Sequence, residues 1–175
     1  MTMKNYNNIK ASLSRKAMEE FPAQKGVVLC KTCGAAYHKK SWRHGIEEFN
    51  KAETESISSG KKDVPVKFEL CPACQMIKNH QYEGRITIKN LPEASEHSLS
   101  ELVEGFGKRA YEQDAMHRLI EIKNDGDKWV ITTTENEMAN KLAHKIKTSF
   151  SHVKSRTHFA GDPSDVAEIT IEFAG

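Results

Sequence analysis

Apolar side chains in the second half of the chain recur with two different periods. Arg85-Ile86-Thr87-Ile88-Lys89 is apolar at every second position, the period of a strand with one buried face. From Leu99 the period lengthens. Leu99, Leu102, Val103, Phe106 and Ala110 stand at i, i+3, i+4, i+7 and i+11, one apolar stripe on a helix. Ser98-Leu99-Ser100-Glu101 at its head has the form of a capping box, in which serine and glutamate satisfy end N–H groups. Gly105 and Gly107 each weaken this helix by about 1 kcal/mol relative to alanine, and either one permits close packing on a sheet.

Leu119-Ile120-Glu121-Ile122-Lys123 then reads as a strand. Asn124-Asp125-Gly126-Asp127 is a hairpin signal, because Asp-Gly accepts positive φ, and Lys128 to Thr133 is the returning strand. Thr134-Glu135-Asn136-Glu137 has the form of a second capping box. The helix after it carries Met138, Ala139, Leu142, Ala143, Ile146 and Phe150 on one face, with Lys141, His144, Lys145 and Thr148 on the other. Val153 to Phe159 has the look of a further strand and Gly161-Asp162-Pro163-Ser164 that of a turn. Ala167 to Phe173 alternates, with Ile169, Ile171 and Phe173 inward. The order β-α-β-β-α-β, with an extra strand before the last, is that of a ferredoxin-like domain. An antiparallel sheet with both helices on one face is expected. Its other face would carry Arg85, Thr87 and Lys89. Such open faces often bind RNA, although the topology serves many functions.

The first half is patterned differently. Residues 1–25 are polar and basic, with a short helical stretch from Ala11 to Phe21 that Pro22 stops. This is expected to be an arm rather than a core element. Val27-Val28-Leu29 and Val66-Lys67-Phe68-Glu69-Leu70 are short β-like runs, and each leads into a pair of cysteines two residues apart. The pairs are Cys30-Lys31-Thr32-Cys33 and Cys71-Pro72-Ala73-Cys74, and they contain all 4 cysteines of the chain. A turn carrying two thiolates supplies two corners of a zinc tetrahedron, and two such turns close it. Positions 34 to 70 separate the pairs, longer than usual for a zinc ribbon, so an insertion is expected between its halves. Disulfides are the rival reading, but the N-terminus has no apolar signal-peptide core, which favours a reducing, cytoplasmic setting. Thiol redox chemistry expects a single CxxC near a βαβ unit.

The chain has 175 residues, 38% hydrophobic and 29% charged, which places it among globular proteins with a wet surface. No apolar stretch approaches a membrane span, so no membrane association is expected. The net charge of +2 conceals an asymmetry: residues 1–62 hold 12 Lys+Arg against 6 Asp+Glu, and the remainder hold 14 against 18. A basic half attracts phosphate backbones or acidic protein faces. After the first knuckle, Tyr37-His38-Lys39-Lys40-Ser41-Trp42-Arg43-His44 mixes aromatic and basic residues. That mixture suits stacking on bases while pairing with phosphates. Equally, Tyr37 and Trp42 can cover the knuckle, with the cations merely around them. Ile46 and Phe49 mark a helical face that ends near the Ser-Ser-Gly-Lys-Lys run at 58–62.

Catalytic patterns are absent. The sequence has no nucleophile motif, no phosphate-cradling glycine loop and no HExxH, and its 8 histidines lack ligand spacing that competes with the cysteines. The RNP1 signature of a typical RNA-recognition motif is missing too.

Several of these motifs, taken in order, resemble one family. Cys30-x-x-Cys33 followed by Tyr37 and Trp42, then Cys71-x-x-Cys74, resembles a zinc knuckle pair and aromatic segment of the export adaptors of the large ribosomal subunit, the nonsense-mediated decay factor three family. Gly126-Asp127-Lys128-Trp129, running into Thr133-Thr134-Glu135-Asn136 and Ala139, is similar to that family's glycine-aromatic strand and helix start, and Ser151 to Thr157 is compatible with it. The likeness spans roughly residues 26–160 by motif order. It implies a short prokaryotic-type relative that contacts ribosomal RNA and protein on the large subunit. The family's additional N-terminal cysteine pairs are missing from this chain.

The expected fold is therefore α+β: a basic arm over 1–25, a zinc-ribbon-like Cys₄ module with an insertion over 26–80, and a ferredoxin-like (βαββαβ) domain over 81–175. The expected function is a non-enzymatic RNA-binding protein, ribosome- or rRNA-associated. One structural Zn²⁺ would be held by Cys30, Cys33, Cys71 and Cys74. RNA contacts would come from Tyr37, Lys39, Lys40, Trp42, Arg43, Lys61 and Lys62. The alternative is a zinc-ribbon adaptor that binds a protein partner without touching RNA.

Overall fold

The computed structural model describes residues 26–60, 65–126, 128–159 and 166–174. The expected basic arm, Lys61, Lys62, Asp127 and the turn at Gly161–Ser164 lie outside the described residues. The described chain is mixed α+β, with two sheets and four helices.

The first sheet has 4 strands in the order β3-β2-β1-β4. They are β1 (Val27–Cys30), β2 (Ala36–His38), β3 (Ser41–Arg43) and β4 (Val66–Glu69). Strands β1, β2 and β3 form an antiparallel meander, whereas β4 lies parallel to β1. A parallel neighbour requires a crossover, and α1 (Gly45–Ser58) supplies it. Strand alternation splits the sheet's side chains. Val27 and Ala36 meet Ala52 of α1 on one face, while Val28, Tyr37 and Trp42 join the cysteine cluster on the other. Gly45 opens α1 hard against the carbonyl oxygen of Gly34, and a Cβ there would collide with that oxygen. Between the cysteine pairs thus lie the three strands β2, β3 and β4 and a packed helix.

The second cysteine pair does not sit on a hairpin. Cys71 is the N-cap of α2 (Pro72–Asn79), and its sulfur accepts the N–H of Cys74 at 3.4 Å. Pro72 at the first helical position has the φ a helix start needs and no N–H to leave unpaired. One knuckle on a hairpin and one on a helix N-terminus is the observed arrangement.

The second sheet has 5 strands in the order β6-β7-β5-β9-β8. They are β5 (Gly84–Lys89), β6 (Leu119–Asn124), β7 (Lys128–Thr133), β8 (Val153–Phe159) and β9 (Ala167–Phe173). Helices α3 (Glu93–Gln113) and α4 (Asn136–Ser149) pack on one face. Ile86 stands level with Ile131 and Ile169, and Ile88 with Trp129 and Ile171. Leu99 and Val103 of α3 and Leu142 and Ile146 of α4 close over these rows without solvent exposure. Each such side chain stabilises the fold by roughly 1.5–3 kcal/mol.

Three local expectations need correction. The sheet is mixed rather than wholly antiparallel, because β9 runs parallel to β5. The extra strand expected before the last is present as β8, at the sheet edge, and β9 returns antiparallel to it, between β8 and β5. Helix α3 begins at Glu93, not at Ser98: Pro92 is the N-cap, and Glu93 and Glu96 place negative charge in the first turn, where the helix dipole favours it. The second capping box does not form either. Glu135 is the N-cap of α4 with no capping bond from its side chain, while Thr134 donates to the Met116 carbonyl at 2.7 Å and accepts the Arg118 N–H at 2.9 Å. The hairpin turn does form, with Gly126 at φ 77 and its N–H bonded to Asn124 Oδ1 at 2.9 Å. Of the two helical glycines, Gly107 makes the close approach, with Leu119 occupying the space of its missing Cβ.

Candidate metal centre

Strand β1 delivers Cys30, the turn after it delivers Cys33, and α2 delivers Cys71 and Cys74. One atom from each cysteine lies within 4.8 Å of all the others. Cys33 Sγ and Cys71 Sγ are 3.6 Å apart, and all four cysteines are free thiols. Three are buried and Cys33 is half-buried. A cluster of four thiol sulfurs at this spacing can hold one metal ion.

Backbone donors prepare the cluster for charge. The Cys71 N–H points at Cys30 Sγ at 3.3 Å. Burial works against ionising Cys30, but the N–H groups of Cys33, Cys71 and Thr32 offset it and draw its pKa down to about 6. At Cys74 burial dominates and pushes the thiol up to about 12; the side-chain bond with Cys71 opposes this, while Cys33 and Cys30 add to it. Burial raises Cys71 further still, and negative charge on Cys33, Cys74 and Cys30 acts in the same direction. A cation at the centre would reverse that repulsion, since thiolate is the form that ligates.

The aromatic residues of the first knuckle turn inward. Tyr37 is 6% and Trp42 9% exposed, their ring centroids 5.4 Å apart, and both belong to the cluster around the cysteines. The reading in which they cover the knuckle therefore holds. At this burial the rings offer little surface for stacking on a base. Lys39 and Lys40 form the two-residue turn between β2 and β3, with φ of 50 and 66. Both are exposed, and Lys39 is ion-paired with Glu55 of α1. Arg43 is exposed at the end of β3. The structure thus brings the turn lysines and Arg43 to the module that carries the cysteines.

One set of residues has no signal in the sequence. Tyr111 at the end of α3, together with Ala115 and Met116 just beyond it, packs into the cysteine cluster. Arg118 Cζ lies 3.9 Å from the centroid of the Tyr111 ring, and its Nε donates to the Ala115 carbonyl at 3.2 Å. Arg118 and Lys78 line a depression that Cys33 and Cys74 also line. Two cations there oppose the net negative charge that four thiolates retain around a divalent ion. No spacing or periodicity marks these positions, which are joined to the cysteines only by folding.

Among the described residues no helix is long and apolar enough to cross a membrane. Comparison with protein-family models, with curated proteins and with solved structures finds no match for this chain.

Proposed function

We propose that the chain is a zinc-stabilised RNA-binding protein without catalytic activity, working on ribosomes or on their assembly. The observation that carries this reading is the mutual approach of the four cysteine sulfurs within 4.8 Å. A zinc ion about 2.3 Å from each thiolate requires sulfurs about 3.8 Å apart in a tetrahedron. Thiolate ligands select zinc over hard cations such as magnesium or calcium. Cys30, Cys33, Cys71 and Cys74 fill every position, leaving none for a water or a substrate, which is the pattern of a structural ion. The module is zinc-ribbon-like in its hairpin knuckle. The second half is ferredoxin-like in the order of its elements through α4.

The charged turn supports the RNA part of the reading. Lys39 and Lys40 both adopt left-handed backbone at a turn where asparagine and glycine are less strained. Strain retained at a cationic turn is the kind that function preserves. The resemblance to large-subunit export adaptors directs the reading to the ribosome. Sedimentation with purified large subunits tests it. At low salt the protein should travel with the subunits, and rising salt should release it steeply as counterions return to the phosphates. A protein that stays at the top of the gradient at every salt concentration, and retains no rRNA fragment on a filter, would falsify the proposal.

A protein adaptor is the second reading, favoured by Phe68. That side chain is 67% exposed on β4, an edge strand of the first sheet. An open edge beside an apolar side chain suits an added strand from a partner. Ribonuclease-resistant capture of one protein by the immobilised chain, lost in Phe68→Lys, would favour this reading over RNA.

A further inference from the structure

A second basic surface lies on the five-stranded sheet, on the face turned away from α3 and α4. The strand register determines its composition. One cross-strand row holds Lys128, Lys89, Glu172 and Lys154, and the next holds Lys123, Val130, Thr87, Thr170 and Arg156. Because strand side chains alternate, all of these project opposite to Ile86, Ile88, Ile131, Ile169 and Ile171. The two rows contain five cations and one carboxylate. All five cations are exposed, whereas Val130, Thr87 and Thr170 form a half-buried floor between them.

The cations are not used up internally. Lys123 pairs with Asp125 at 3.3 Å. Among the described residues, Lys89, Lys128, Lys154 and Arg156 have no carboxylate at ion-pair distance, although Glu172 stands level with Lys89 and Lys154. The Glu172 carboxylate is instead 3.5 Å from the Asn90 amide. The third row has one cation against two carboxylates, with Arg85 between Glu121 and Glu168 in the sequence of strands. Positive charge is thus concentrated at the end of the sheet where β5 finishes at Lys89.

We infer that this end of the open sheet face is a track for the backbone of single-stranded RNA. Strands about 4.8 Å apart make the strip about 19 Å wide, and the two rows are separated by about 6.7 Å. Lysines and one arginine rim the strip, and threonine hydroxyls on its floor can donate to phosphate oxygens. An acidic protein partner fits less well, because the floor of Val130, Thr87 and Thr170 offers no large aromatic anchor of the kind that concentrates binding energy between proteins. Nothing on the strip is arranged to read base edges, so binding follows the backbone and not the sequence. The inference rests on the RNA-binding reading above and adds a surface distinct from the Lys39–Lys40 turn.

Fluorescence anisotropy with labelled oligouridylate, over a salt series, tests it on the full chain loaded with zinc. The combined variant Lys89→Gln, Lys128→Gln, Lys154→Gln should bind on the order of 10-fold to 100-fold more weakly at low salt. Its slope of log K against log salt should be shallower by about 2, since each lost phosphate contact contributes about 0.7 for a single strand. Its melting temperature should match the parent's, as all three residues are exposed. Lys145→Gln, Lys147→Gln on the outer side of α4 should bind as the parent does. A triple variant with the parent's affinity and slope overturns the track. If Lys39→Gln, Lys40→Gln then abolishes binding, the RNA-binding function stands without it. A parent protein that binds neither oligouridylate nor rRNA overturns both. Binding of poly-glutamate but not RNA overturns both in favour of an acidic protein partner.

Discussion

His44 Nε2 lies 2.7 Å from the backbone oxygen of Tyr111, although the two residues are 67 positions apart. The two rings also meet edge to face at 4.9 Å between centroids. His44 is the N-cap of α1, and Tyr111 lies in the last turn of α3. The contact therefore ties the cysteine-bearing sheet to the helical layer of the larger one. His44→Ala leaves the Tyr111 carbonyl without this partner. It should lower the unfolding free energy of the metal-loaded protein by about 1–2 kcal/mol, measured by urea denaturation. An unchanged midpoint would show that the two halves do not depend on this contact.

Metal analysis of the purified protein should give one zinc per chain, and Cys71→Ser should lose it. The chain has 2 tryptophans, in two different packing clusters: Trp42 beside the cysteines and Trp129 in the core of the five-stranded sheet. Chelation should shift the emission of Trp42 to the red, observed in Trp129→Phe, and leave that of Trp129 in place, observed in Trp42→Phe. The difference follows from the isoleucine core, which does not need the ion.

Metal binding should release protons. Cys71 and Cys74 hold their thiol protons well above neutral pH, and both must lose them to ligate. Calorimetry in buffers of different ionisation enthalpy should find at least these two protons released per zinc near neutral pH, with affinity falling as pH falls. Without metal the linkage has two limbs. Cys30 is lowered from 9.0 to about 6, so its stabilising contribution is full above 9.0 and is lost as pH falls through 6. Cys71 and Cys74 are raised, so theirs is full below 9.0 and is lost as pH rises, for Cys74 toward 12. For these groups the stability of the metal-free chain should therefore peak near pH 9, as a series of thermal melts would reveal.

Lys40→Gly relieves a left-handed residue in the β2–β3 turn, where φ is 66. It should stabilise the protein by about 1 kcal/mol while weakening RNA binding. Opposite signs in the melt and in the binding assay would mark the turn as strained for function. Loss of stability in this variant would instead mean that the lysine side chain packs in a way that outweighs the strain.

Gly45→Ala should destabilise the protein by roughly 1–3 kcal/mol, because its methyl group meets the Gly34 carbonyl oxygen. Backbone cannot step aside as a side chain can. Faster loss of zinc to a chelator should accompany it, since Gly34 directly follows Cys33 in the knuckle.

Much of this architecture is legible in the sequence where one local rule suffices. The alternation at Arg85–Lys89 and Ala167–Phe173 identifies strands, and the stripe from Leu99 to Ala110 identifies a helix, because one buried face imposes the period. Asn124–Gly126 announces its turn through the φ that glycine allows. The paired cysteines announce a metal site because two residues is the separation that lets one turn present two thiolates. The capping boxes are legible but misleading. Ser98 lies inside a helix that Pro92 starts earlier, and the Thr134 hydroxyl is claimed by Met116 and Arg118. Local motifs lose to tertiary partners when both compete for one hydroxyl.

By itself the sequence determined most strands and helices of the second half and which four residues can bind a metal, since each is a matter of neighbours along the chain; it left β2, β3 and the helix at Pro72–Asn79 unmarked. Only the tertiary structure decided the parallel placement of β9 beside β5, the inward turn of Tyr37 and Trp42, and the seating of Tyr111 and Arg118 at the cysteines. Those outcomes join segments distant in the chain, and periodicity contains no term for the partner a face will meet. The same holds for the basic strip: Lys89, Lys128 and Lys154 are unremarkable singly and become one surface only when strand register lines them up.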